Sequence, residues 1–343
     1  MTSGRQNLAP RVVGTAGLVA LAMGVMGSLQ TRINAELTLI MDDALLAALV
    51  SSTLGLLTVT IVLLARARGR HALHALPGQV RSGRVPAWQL LGWITPAVFL
   101  PIVAFVVPRT GVAYFAVAVV AGQVVSSLIV DWLGIGPRGR RPVTTLRVVA
   151  SIAAIGFAGL TASGEAGRAP VSESVVLLGL VLGAGLTAGW QQAINGRLTA
   201  STGQPFLTAA VNLGPAWLLI AGAWLAFVLV PRGPASLLRI PWHEPWLLVA
   251  GALGAVYVAA ASVIVRYLGL LLFGLLQIAG LLLGAVLLDL LWPVPDRIIT
   301  WQVAAGVLGM LAVAASLALP AVARLLRSRA RARSLRPLGG PPA

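Results

Sequence analysis

Two pairs of amide side chains, Gln30 with Asn34 and Gln191 with Asn195, stand four residues apart inside apolar runs. That spacing places both members of a pair on one face of a helix. Amides donate and accept, so such a face can hold a neutral or zwitterionic solute without fixing a charge. The same amides could instead cap helix ends or bond neighbouring helices. Asn212 lies in another apolar run beside Gly214 and Pro215, where proline should break or kink a helix and free carbonyls. Gln123 and Tyr257 are further polar side chains that could line a pathway. Asp131 and Asp289 close two other apolar runs. A partly desolvated carboxylate there could relay a proton; the alternative is an ordinary interfacial acid near Arg138 or Arg297. Arg32 and Glu36, flanking the first amide pair, are expected at headgroup level, bonded across one helical turn.

Other chemistries lack their reagents. Cysteine is absent, which excludes disulfides, thiolate catalysis and cysteine-based metal sites. The three histidines, His71, His74 and His243, are all expected in loops. No acids cluster at metal-ligand spacing and no Walker motif is present, so neither a metal, a cofactor nor direct ATP hydrolysis is expected.

The elements that must carry these residues follow from composition. Of 343 residues only 10% are charged and 58% are hydrophobic, with mean hydropathy +0.92. A soluble fold could not hide that much apolar surface. Apolar runs long enough to cross a bilayer as helices occupy 12–33, 43–65, 86–107, 111–131, 145–163, 172–195, 205–230, 243–265, 269–291 and 300–320. The first is too long for a signal-peptide core and is read as an uncleaved span. With the N-terminus in the cytoplasm, 19 of the 25 basic residues fall in inside loops and six in outside loops. The positive-inside rule therefore selects cytoplasmic termini. All 25 are arginine, and the +16 net charge marks topology and attraction to anionic lipid rather than a nucleic-acid partner. Trp88, Trp132, Trp242, Trp246, Trp292 and Trp301 fall at span ends, as interfacial anchors. The Arg-rich tail 324–343 is expected to be disordered.

The chain also repeats itself. Gln30–Leu37 and Gln191–Leu198 share the skeleton Gln-x-x-Ile-Asn-x-x-Leu at an offset of 161, and Gly24 falls on Gly185. An offset of 158 aligns Trp88 with Trp246, Gly122 with Gly280 and Asp131 with Asp289. The expected fold is an all-α integral membrane protein of ten transmembrane helices in two five-helix repeats, 1–164 and 165–323. An odd number of spans per repeat forces opposite orientations, and inverted repeats are a transporter architecture. Gly-x-x-x-Gly faces in the sixth and ninth spans suit close packing within the monomer, or a homodimer interface.

The repeated Gln-x-x-x-Asn element, with Gly122-Gln123 and Asp131-Trp132-Leu133-Gly134 late in the fourth span, resembles the YdcZ-like branch of the drug/metabolite transporter superfamily over roughly residues 12–320. The second repeat departs from it, with Leu281 in place of Gln123. The resemblance implies a secondary transporter in the inner membrane of a bacterium. The expected function is alternating-access transport of a small metabolite or drug-like compound, as proton-driven export. A membrane enzyme acting on a lipid-linked substrate, or a non-transporting scaffold, are the other readings.

Overall fold

A computed structural model describes residues 10–135, 139–140, 142–164, 170–254, 256–257, 260, 264, 270–295 and 299–334. The described segments are helical. In chain order they are α1 (Pro10–Met41), α2 (Ala44–Ala65), α3 (Ala67–Arg81), α4 (Ile94–Thr110), α5 (Val112–Leu133), α6 (Thr145–Ser163), α7 (Val171–Thr202) and α8 (Pro205–Trp224). Then follow α9 (Pro245–Gly254), α10 (Leu270–Leu291) and α11 (Trp301–Ser334). Among the described residues, eight helical stretches are long and apolar enough to cross a membrane. The runs expected at 243–265 and 300–320 contain shorter apolar helices, Pro245–Gly254 and Trp301–Leu317. Helices are what apolar surroundings allow, because every backbone N–H and C=O is then satisfied within the segment.

Three expectations are corrected. The segment after α2, expected as a loop, forms helix α3 and carries His71 and His74. Its Ala, Leu and Arg residues favour helix. Ala72 and Leu76, four apart, pack on Leu63 of α2 and on Phe206 and Leu207 of α8, leaving the Arg-rich face exposed. Second, Pro215 does not interrupt α8, which runs through it to Trp224. The irregularity comes later, as a single wider π turn over Leu225–Leu229. Third, α11 continues through the basic segment to Ser334, so residues 324–334 are helical rather than disordered. A helix already nucleated propagates cheaply through such residues; residues 335–343 lie outside the described set.

The strongest packing joins α1 to α10 and α5 to α7; α6 packs on α11 and α2 on α8. The first two contacts are built alike. On α1, Gly24 and Ser28 meet Gly280 and Gly284 of α10; on α7, Gly185 and Gly189 meet Gly122 and Ser126 of α5. A Cβ on Gly24 would overlap the Gln277 carbonyl, and one on Gly185 would overlap the Val119 carbonyl, residues 158 apart. A Cβ on Gly280 or Gly122 would overlap the carbonyls of Leu21 and Leu182, 161 apart. Each pair of helices runs parallel, backbone against backbone. Ser28 adds a hydrogen bond to the Leu281 carbonyl at 2.6 Å.

α5 is the most buried helix, and Val112–Gly122 is buried without interruption. The turn before it is fixed by Gly111, whose φ of +85° a side-chain-bearing residue rarely adopts. The α1–α2 turn is held by Asp43. One carboxylate oxygen accepts the Leu46 N–H at 2.9 Å and caps α2, while the other accepts the Trp224 indole at 2.8 Å.

Alanine at Gly24 or Gly185 should lower stability by roughly 1–3 kcal/mol, as overpacking does. Gly179→Ala, where a Cβ meets nothing within 4 Å, should leave it unchanged or raise it. Thermal unfolding of purified protein in detergent compares them.

Candidate functional site

Three of the expected polar residues converge. Gln191 and Asn195 share one face of α7, and Asn212 on α8 donates its Nδ2 to Asn195 Oδ1 at 2.8 Å. Gln191 donates to the Gly92 carbonyl at 3.1 Å, in the turn that leads into α4. One turn along, the Thr95 hydroxyl donates to the Thr187 carbonyl at 2.7 Å and ties α4 to α7. Gly92 is needed for this meeting, since a Cβ would overlap Asn212 Oδ1 and come within 2.8 Å of Asn195 Oδ1. Asn212 is 4% exposed, and its Oδ1 has no hydrogen-bond partner among the described residues.

The counterpart in the first repeat lacks that asparagine–asparagine bond. Gln30 lies beside Gly254 of α9, where an added Cβ would sit 3.3 Å from its Nε2. Asn34 is also 4% exposed, and its Oδ1 has no partner among the described residues. At the position equivalent to Asn212, 161 residues earlier, stands Ser51. The asparagine–asparagine bond that closes the second cluster therefore has no equivalent in the first. A buried amide oxygen without a donor costs about 1–3 kcal/mol, so both clusters offer an acceptor to an incoming N–H or O–H.

The other expected residues stand apart. Gln123 is half-buried on α5, with its carbonyl 3.3 Å from an added Gly189 Cβ. Tyr257 packs with Ala20, Met23 and Phe273. Asp131 and Asp289 occupy aligned positions but do different things. The Asp289 carboxylate accepts the N–H of Val112 at 3.0 Å and of Ala113 at 2.7 Å, capping α5 from another helix. Asp131 is ion-paired with Arg147 at 2.5 Å. Arg138 and Arg297, its expected neighbour and that of Asp289, lie outside the described residues. Beside Asp289 a recess of about 10 Å³, touching Thr110, Gly111 and Val294, has room for one water. Among the described residues no three His, Asp or Glu side chains group to hold a metal.

Arg32 is the main surprise. Expected at headgroup level, it is 1% exposed. It pairs with Glu36 at 2.7 Å, donates to the carbonyls of Trp292 and Pro293 at 2.9 and 3.2 Å, and lies 4.2 Å over the Trp292 ring. A guanidinium can be buried here because carbonyls, a carboxylate and an aromatic face replace its water. Sequence pointed to the Glu36 pair but carried no signal for the burial, since the covering carbonyls are about 260 residues away.

Removing the cap with Asp289→Ala should destabilise the protein by about 1–2 kcal/mol, and Asp289→Asn, which keeps one acceptor, by less. Thermal unfolding distinguishes the two.

A family model described as "Putative inner membrane exporter, YdcZ" matches the chain twice, over residues 15–159 and 175–319. No curated protein matches it.

Proposed function

The chain belongs to this YdcZ family of multi-pass inner membrane exporters, and from that premise we propose that it is a secondary transporter working by alternating access. Ten spans form two inverted five-helix repeats with both termini in the cytoplasm, and residues 12–163 rock against 172–320. One observation carries the reading. The α1–α10 and α7–α5 crossings join equivalent residues of the two repeats, yet their C-terminal ends point to opposite ends of the bundle. The Asp289 cap sets the C-terminal end of α10 beside the N-terminus of α5. The C-terminal end of α7 lies against the far end of α5, 22 residues away, or about 33 Å. Two like contacts at opposite faces are what exchange of inward and outward access requires. The excess of arginine in the loops assigned to the cytoplasm supports the orientation.

The transported solute is a small neutral or zwitterionic compound with hydrogen-bond donors, held in turn by Gln191, Asn195 and Asn212 and by Gln30 and Asn34. Gln123 and Tyr257 line its route. Of the two acids, Asp131 suits proton coupling better, because its partner is a side chain that can leave. Asp289 holds two backbone amides whose loss would uncap α5.

Purified protein in liposomes, screened against metabolites and drug-like compounds with and without a pH gradient, tests this. Asn195→Ala and Asn212→Ala should slow transport about tenfold or more, matching loss of one to two hydrogen bonds to the solute. Asp131→Asn should remove the gradient dependence. Wild-type rates in both amide variants would exclude the clusters from the pathway.

A further inference from the structure

The two helix crossings end in matching contacts that the transport reading above does not use. At the α1–α10 crossing, Arg32 of α1 donates from Nε and Nη2 to the carbonyls of Trp292 and Pro293. At the α7–α5 crossing, Arg197 of α7 donates from Nε and Nη2 to the carbonyls of Ile135 and Gly134, at 2.5 and 2.8 Å. Under the offset of 158, Trp292 falls on Gly134 and Pro293 on Ile135. The same two carbonyls, just past the end of an equivalent helix, are thus held at opposite faces of the bundle. The arginines themselves are not equivalent. Arg197 aligns with Glu36, one turn beyond Arg32, so each repeat reaches the same acceptors from a different position.

The aromatic surroundings correspond as well. Arg197 lies 5.5 Å over the ring of Trp88, and Trp88 aligns with Trp246. At the other face Trp292 stands between the arginine and that tryptophan, 5.4 Å from Trp246. Where Trp292 stands in one repeat, Gly134 stands in the other, in the left-handed conformation (φ +73°) that ends α5. With no side chain there, Arg197 reaches the more distant tryptophan directly.

We propose that Arg32 and Arg197 are the gate residues of the transport cycle, each latching one face shut by capping the helix of the opposite repeat. The inference rests on the alternating-access reading. The acceptor carbonyls belong to the two residues that follow each helix, so they have no partner within it and lie beside its negative end. A guanidinium satisfies them while the face is closed, and water can satisfy them once it opens, so breaking the latch leaves no buried group unpaired. Each arginine belongs to one repeat and its acceptors to the other, so a rocking motion must break one latch and can leave the other intact. The Arg32 latch is the tighter, being buried, paired with Glu36 and stacked on Trp292. The Arg197 latch is half-buried.

The absence of native cysteine makes the test direct. Ser28→Cys and Ser126→Cys each place one thiol at a crossing, in positions buried in the closed protein. Each reporter is combined with Arg32→Gln or Arg197→Gln and treated with a membrane-impermeant maleimide in right-side-out and inside-out vesicles. Arg32→Gln should speed modification of the Ser28→Cys reporter on the order of fivefold or more, from the Trp292 face only, with no rise at the Ser126→Cys reporter. Arg197→Gln should do the reverse from the other face. Where a glutamine variant does not fold, the matching Arg→Lys variant, which keeps the charge but loses the two-carbonyl fork, should give the same side-specific increase. Unchanged rates, or both reporters rising whichever arginine is replaced, would show simple helix caps and overturn the proposal. Labelling needs no solute, so side-specific opening without liposome transport would defeat the transport reading alone. Transport with unaltered labelling would defeat the gates alone.

Discussion

The two most extensive helix packings in this protein are places where backbones touch. Gly24, Gly280, Gly122 and Gly185 each face a carbonyl that a single added methyl would overlap. In an apolar bilayer, lipid competes with side chains for helix surfaces, so association must come from close packing and from polar bonds that lipid cannot offer. The small residues supply the first. Their approach brings within reach the second: Ser28 to the Leu281 carbonyl, Arg32 to Trp292 and Pro293, and Arg197 to Gly134 and Ile135. A helix pair held a few ångströms further apart would lose those bonds.

The two repeats share this frame and differ in what they hang on it. The second closes its amide cluster with the Asn212–Asn195 bond, where the first has Ser51 and an Asn34 oxygen with no partner among the described residues. Asp289 caps α5, while its aligned partner Asp131 is tied to Arg147. In the proposed mechanism, symmetry in the backbone contacts would let the two faces interchange, and asymmetry in the side chains would let the two states differ in energy and in what they bind.

Much of the frame was legible in sequence because hydropathy and glycine spacing are local. Most of the apolar runs coincide with described helices, and the offsets of 161 and 158 that align Gly24 with Gly185 and Gly122 with Gly280 pick out the residues at both crossings. What stayed hidden depended on partners far along the chain. Asp289 reads as a proton relay or an interfacial acid until the α5 amides, 176 and 177 positions away, come into contact. Arg32 reads as a headgroup residue until Trp292 covers it. Gly92 gave no signal, being one glycine in an apolar run, although the amide cluster needs its missing side chain. Helix α3 was masked by its charge, since arginines that mark a loop for topology also form the wet face of an amphipathic helix.

If the two faces open in alternation, the distance across each must change in the opposite sense to the other. Spin labels on Leu39→Cys with Leu291→Cys report the Arg32 face, and labels on Trp132→Cys with Ala200→Cys report the Arg197 face; all four positions are exposed. Pulsed electron-spin measurements in lipid should give two populations for each pair. Conditions that lengthen one distance, such as a change of pH or an added solute, should shorten the other. A single fixed distance at both faces under every condition, or two distances that lengthen together, would rule out alternation.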